Sequence, residues 1–187
     1  MSVDDPQGTF FTPKHNLHFI RWHPSTPGTV KLNFEGSLQG KSATDGYILR
    51  DWREALLLLG ALNYGDTSVT MAESHALQDG LQEAIRRGFS RLEIEGDNSL
   101  VIGASLKQVE VPWRIKNVIQ DIQTLAQKAE QVRFMHVYRE ANMAADWLSK
   151  LGHSITDTWV ATASDNVELQ EIIQSNRMGR TPVRRGT

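Results

Sequence analysis

Thr29-Val-Lys-Leu-Asn-Phe-Glu35 alternates without a break, with Val30, Leu32 and Phe34 on one side and Lys31, Asn33 and Glu35 on the other. A side-chain period of two predicts a strand with one buried, apolar face. Gly36-Ser-Leu-Gln-Gly40 ends the alternation. Residues 43–50 and 55–64 read as two more strands, with turns around 51–54 and 65–66, so the three form an antiparallel meander. Upstream, Trp22-His-Pro24-Ser-Thr-Pro27-Gly28 is a turn-rich entry, and residues 1–21 read as an N-terminal arm.

Beyond the meander the period lengthens. A helix begins at Thr70, carries Leu77, Leu81, Ala84 and Ile85 at apolar positions, and stops at Gly88. Residues 91–95 form a short strand, followed at once by Asp97 and a helix to about Lys107. Pro112 opens another helix, with Ile115, Val118, Ile119, Ile122 and Leu125 at helical spacing. A last strand (132–138) and a last helix (141–151, closed by Gly152) complete the order β-β-β-α-β-α-α-β-α. Such an order predicts an α/β domain over residues 22–152: a mixed five-stranded sheet flanked by helices. Residues 153–187 are polar and hold Arg177, Arg180, Arg184 and Arg185. They read as a C-terminal extension and a candidate arm for a protein partner.

Composition narrows the function classes. At 187 residues and 40% hydrophobic content the chain suits one ordinary domain with tails. It has no cysteine, which removes disulfides, thiolate zinc sites and a cysteine nucleophile. The longest apolar run, Ala55 to Leu59, is strand-sized, far short of a membrane span. The N-terminus opens with Asp4 and Asp5 and has no apolar signal core, so an intracellular protein is expected, in nucleus or cytoplasm. Net charge is −2, and residues 22–152 carry 14 Lys and Arg against 16 Asp and Glu. Bulk charge would not hold nucleic acid; any phosphate-binding face would need its cations clustered.

Four acids fall at strand ends or on helices beside the sheet: Glu35, Glu73, Asp97 and Asp146. Brought together, four carboxylates would need cations to stay ionised, and hard oxygen ligands suit Mg²⁺ or Mn²⁺. Each also has a plainer reading. Thr70-Met-Ala-Glu73 fits a capping box, and Asp97 fits an N-cap. Asp146 fits a solvated helix face, and Glu35 the wet side of its strand.

The succession of motifs is more specific than any one acid. Trp22-His-Pro, Lys31-Leu-Asn-Phe-Glu-Gly-Ser37, Leu49-Arg-Asp51, Ala72-Glu-Ser-His-Ala-Leu77, Leu92-Glu-Ile-Glu-Gly-Asp97 and His136-Val-Tyr-Arg-Glu-Ala-Asn-Met-Ala-Ala-Asp-Trp-Leu148 follow one another. Together they resemble the plant-type ribonuclease H-like domains of the reverse-transcriptase-associated, retroelement-derived type. The resemblance implies that Glu35, Glu73, Asp97 and Asp146 are catalytic acids holding two Mg²⁺ or Mn²⁺ ions. It implies hydrolysis of the RNA strand of an RNA–DNA hybrid, with the ions about 3.5–4 Å apart. It also implies that Gly36, Ser37, Ser68, Thr70, Asn98, Ser99 and Arg139 contact the substrate. Two departures stand out. Glu35 replaces the family's usual Asp, and no Lys/Arg-rich helix is present. They keep open an alternative, a catalytically impaired domain of the same fold that binds nucleic acid or protein. His136 is expected to be a strand residue, and Arg139 to meet either a phosphate or a neighbouring acid.

Overall fold

The computed structural model describes residues 20–178. Most of the N-terminal arm, and Arg180, Arg184 and Arg185, lie outside the described residues. The meander comprises β1 (Val30–Gln39), β2 (Ser42–Arg50) and β3 (Leu56–Asp66), followed by α1 (Val69–Arg86) and β4 (Arg91–Gly96). Then come α2 (Ser99–Ser105), α3 (Lys116–Ala126), β5 (Gln131–His136) and α4 (Met143–Leu151), with β6 (Thr158–Ala161) and α5 (Val167–Arg177) last.

The strands form one mixed sheet in the order β5-β4-β1-β2-β3-β6. β1, β2 and β3 pair antiparallel, whereas β4 runs parallel to β1 and β5 parallel to β4. Among the described residues the sheet thus has six strands, not the five expected. The extra one, β6, comes from the polar segment after residue 152 and pairs antiparallel with β3. Two helices start later than the sequence suggests: α3 at Lys116, after turns that follow Pro112, and α4 at Met143, after a 3-10 turn at Arg139–Ala141. α4 ends at Leu151 with Gly152 at its C-cap, as expected, but Gly152 keeps a right-handed helical backbone and leads straight into another 3-10 turn.

One face of the sheet packs Leu32, Phe34, Leu49, Leu58 and Ile94 against Leu77 and Leu81 of α1 and Ile119 and Ile122 of α3. On the opposite face Ile48 and Leu59 meet Ala145 and Leu148 of α4 and Leu169 and Ile172 of α5. The polar side of β1 is therefore not the wet face that alternation predicts. Lys31, Asn33 and Glu35 are all at most 1% exposed. Lys31 is held by Glu95, by Glu93 at 2.9 Å and by the His23 carbonyl at 2.6 Å. Asn33 donates to Glu95 at 3.0 Å and accepts from Trp22 Nε1 at 2.9 Å, while the Arg50 guanidinium lies 3.7 Å from the Trp22 ring. A buried charge is tolerable when it is paired and hydrogen-bonded in this way.

Two glycines bring helices against this frame. A Cβ on Gly36 would sit 2.5 Å from Glu73 Cγ, and one on Gly46 would sit 2.2 Å from the Ser149 backbone nitrogen. Their missing side chains let α1 and α4 approach the sheet from opposite faces, on either side of Glu35.

Candidate active site

β1 and β4 are parallel neighbours in which Asn33 lies opposite Glu95. Two residues further along each chain come Glu35 and Asp97, so the strand pairing itself places these acids level. Glu73, in the second turn of α1, reaches the same point past Gly36. Glu35, Glu73 and Asp97 each bring a carboxylate oxygen within 4.8 Å of the other two.

The plainer readings of two acids give way here. The N-cap of α1 is Ser68, whose Oγ accepts from the Met71 amide at 3.2 Å; Thr70 lies inside the helix and Glu73 closes no capping box. The N-cap of α2 is Asn98, whose Oδ1 accepts from the Leu100 and Val101 amides, so Asp97 does not cap it. Both carboxylates are thereby left to face the cluster. Glu35 is buried, contrary to the wet-side reading.

Two amides orient the acids. Asn142 Nδ2 donates to Glu35 Oε2 at 3.0 Å and to the Phe34 carbonyl at 2.8 Å. Asn98 Nδ2 donates to Glu73 Oε2. Burial, reinforced by the Asp97 carboxylate and by Glu73, pushes the Glu35 carboxyl well above the usual range, against the Asn142 hydrogen bond. Burial likewise raises Glu73, opposed by the hydrogen bond from Asn98. The pocket resists holding several bare negative charges.

Asp146, on α4, is also buried but stands outside the three-acid group. Lys150 reaches its Oδ2 at 2.5 Å, and Arg139 lies 3.9 Å from its Oδ1 and 3.4 Å from Asp97 Oδ2. Of the two roles open to Arg139, the structure places it beside acids. The remaining candidates lie on the segments that carry the acids: Gly36 and Ser37 follow Glu35 on β1, Ser68 and Thr70 stand at the start of α1, and Asn98 and Ser99 follow Asp97 at the start of α2. Ser37 Oγ lies 3.0 Å from His153 Nε2. His136 is a strand residue, as expected, although β5 ends there, two residues short of the expected end, and it contacts the Asp97 carbonyl at 3.0 Å.

Asn142, Lys150 and His153 were missed as site neighbours. Asn142 and Lys150 each stand four residues from Asp146, one helical turn away, and that spacing was the available signal.

The profile of the reverse transcriptase-like family matches residues 33–152, from within β1 through α4, and takes in all four acids. The chain belongs to the reverse transcriptase-like family. A protein of Arabidopsis thaliana named for ribonuclease H is 28% identical to it over 168 residues, 89% of this chain and 27% of the relative. The chain thus spans about a quarter of that relative's length. Among solved structures, ribonuclease H1 of the halophilic archaeon Halobacterium salinarum superposes with a TM-score of 0.64 at 23% identity, covering 67% of this chain and 98% of the other. The N-terminal ribonuclease H domain of a Mycobacterium tuberculosis protein gives 0.65 at 21% identity, covering 67% and 94%. LC11 ribonuclease H1, solved with an RNA/DNA hybrid, gives 0.59 at 21% identity, covering 64% and 92%. At these identities the likeness establishes a shared fold: this reverse transcriptase-like chain has the ribonuclease H architecture.

Proposed function

We propose that this chain is a divalent-metal-dependent endoribonuclease that hydrolyses the RNA strand of RNA–DNA hybrids, with residues 22–152 as its catalytic domain. The observation that carries this reading is the convergence of Glu35, Glu73 and Asp97, whose oxygens lie within 4.8 Å of one another. The donor set fits a hard cation: three carboxylates, two of them buried and driven toward protonation without a counter-charge. Glu35, Glu73 and Asp97 would hold one Mg²⁺ or Mn²⁺, and Asp146 would complete the set for a second. Bound there, such ions supply an activated water and neutralise charge on the leaving oxygen.

The chain's own groups do the positioning. Asn142 and Asn98 fix the direction of the Glu35 and Glu73 carboxylates, the kind of outer support that metal ligands need. Gly36, Ser37, Ser68, Thr70, Asn98 and Ser99 lie on the same segments as the acids, and short polar side chains there would suit 2′-hydroxyl recognition in a shallow minor groove. Arg139 would exchange part of its contact with Asp97 and Asp146 for a substrate phosphate.

Glu35 favours a second reading, a module of the same fold that binds without cutting, because its arm is one methylene longer than that of Asp. Its carboxylate nevertheless stays in the cluster. A labelled RNA–DNA hybrid incubated with Mg²⁺ or Mn²⁺ tests both readings. The nuclease cuts the RNA strand, stops on chelation, and loses at least about 100-fold in rate as Asp97→Asn. An intact hybrid with wild type, restored to cleavage by Glu35→Asp, points to the binding module. Inertness of both proteins removes the nuclease reading.

A further inference from the structure

Asp146 differs from the other three acids in its company. Its side chain is 10% exposed and fixed by α4, whereas the cations that reach it, Lys150 and Arg139, are 55% and 53% exposed. Lys150 lies one helical turn after Asp146, with the acid N-terminal to the base, the favourable order for such a pair. Its ammonium sits 2.5 Å from Oδ2, while the Arg139 guanidinium covers Oδ1 at 3.9 Å and leans toward Asp97 at 3.4 Å. The carboxylate is thus a stationary anion, and Lys150 is a mobile cation on a flexible stem, anchored to no other acid among the described residues.

We propose that Lys150 is a built-in counter-ion of Asp146 that competes with divalent metal for this carboxylate, so that it sets how tightly the fourth acid takes an ion. The inference rests on the metal reading of the four acids given above. A divalent ion at Asp146 must displace the ammonium, and a nearby phosphate anion would help to draw that ammonium away. Lys150 is a positioning residue in this scheme. It touches the acid and has no role in bond breaking.

The test is calorimetric titration of Mn²⁺, at fixed ionic strength and without nucleic acid, into wild type, Lys150→Met and Lys150→Arg. Met keeps the apolar stem, and the half-exposed position leaves the fold intact, which circular dichroism checks. Removing the competitor is expected to tighten Mn²⁺ binding roughly three- to tenfold, or to add a second binding event, the scale a partly exposed ion pair can supply. Arg at this position should behave like wild type, and Asp146→Asn placed in the Lys150→Met background should abolish the gain. Superimposable isotherms for wild type and Lys150→Met, with metal bound in both, overturn the role of Lys150 alone. No Mn²⁺ uptake by any variant overturns the metal reading itself, and the inference with it.

Discussion

At the scale of single residues, Asn142 links strand and helix through one amide, with Glu35 and the Phe34 carbonyl as its acceptors. Asn142→Ala removes two buried hydrogen bonds, one to a carboxyl group. It is expected to cost about 1–3 kcal/mol, read from denaturant midpoints, and to lower hybrid cleavage about 10- to 100-fold, as loss of support behind a metal ligand does. A second buried group lies apart from the site. The Tyr64 hydroxyl contacts Asp45 at 2.9 Å and Asp79 at 2.8 Å, and its single proton cannot serve both as donor. Burial, then repulsion from Asp79, raises Asp45 well above its ordinary value against the Tyr64 hydrogen bond. Burial, helped by Glu83, raises Asp79, with Tyr64 and His75 opposing. A carboxyl with a raised folded-state value contributes stability that is complete below its unfolded value, about 3.9, and fades as pH climbs through the folded one. Asp45→Asn cannot ionise, so its stability should fall less than that of wild type between about pH 5 and pH 8; equal slopes in denaturant titrations would refute this. Such residues were hidden in the sequence because alternation reports which side of a strand is apolar, not whether the polar side is covered. Lys31 and Asn33 occupy the expected face, and Trp22 lies over it.

At the scale of elements, the order of the strands and α-helices up to residue 151 could be read from periodicity, because most carry a run of apolar positions at one spacing; the 3-10 turn at Arg139–Ala141 could not. Starts were harder. Ser68 and Thr70 are both good caps two residues apart, as are the neighbours Asp97 and Asn98. Which of each pair caps is decided by where β3 and β4 leave the sheet, a tertiary matter. The outcome frees Glu73 and Asp97 for the cluster. Close approach is equally invisible in one sequence. Gly46→Ala would drive a Cβ into the α4 backbone, and a loss of about 1–3 kcal/mol is expected. Because α4 carries both Asn142 at its cap and Asp146, the variant should also weaken Mn²⁺ binding; an unchanged isotherm would separate packing from site geometry.

At the scale of the molecule, the C-terminal segment escaped the sequence reading because its polar average conceals a few well-spaced apolar residues. Leu169 is fully buried and Ile172 nearly so, both against the α4 side of the sheet. Leu169→Ala is expected to cost about 2–5 kcal/mol, a clear drop in thermal midpoint, whereas a loosely attached tail would show none. The charge balance also belongs here. With a net charge of −2 and Arg139 and Lys150 engaged by acids, hybrid affinity should fall only gently with salt, with a log–log slope no steeper than about −3. Finally, β6 has a protective consequence. Four residues, Thr158–Ala161, satisfy the outer rim of β3 from Leu59 to Leu62, a stretch rich in leucine and alanine. Stripped of that cover, the rim would offer unpaired amides and carbonyls on an apolar ribbon, a template for strands of other molecules. Shortening the chain before Thr158, which takes α5 away as well, should therefore promote self-association, visible as more light scattering than the longer chain gives at the same concentration.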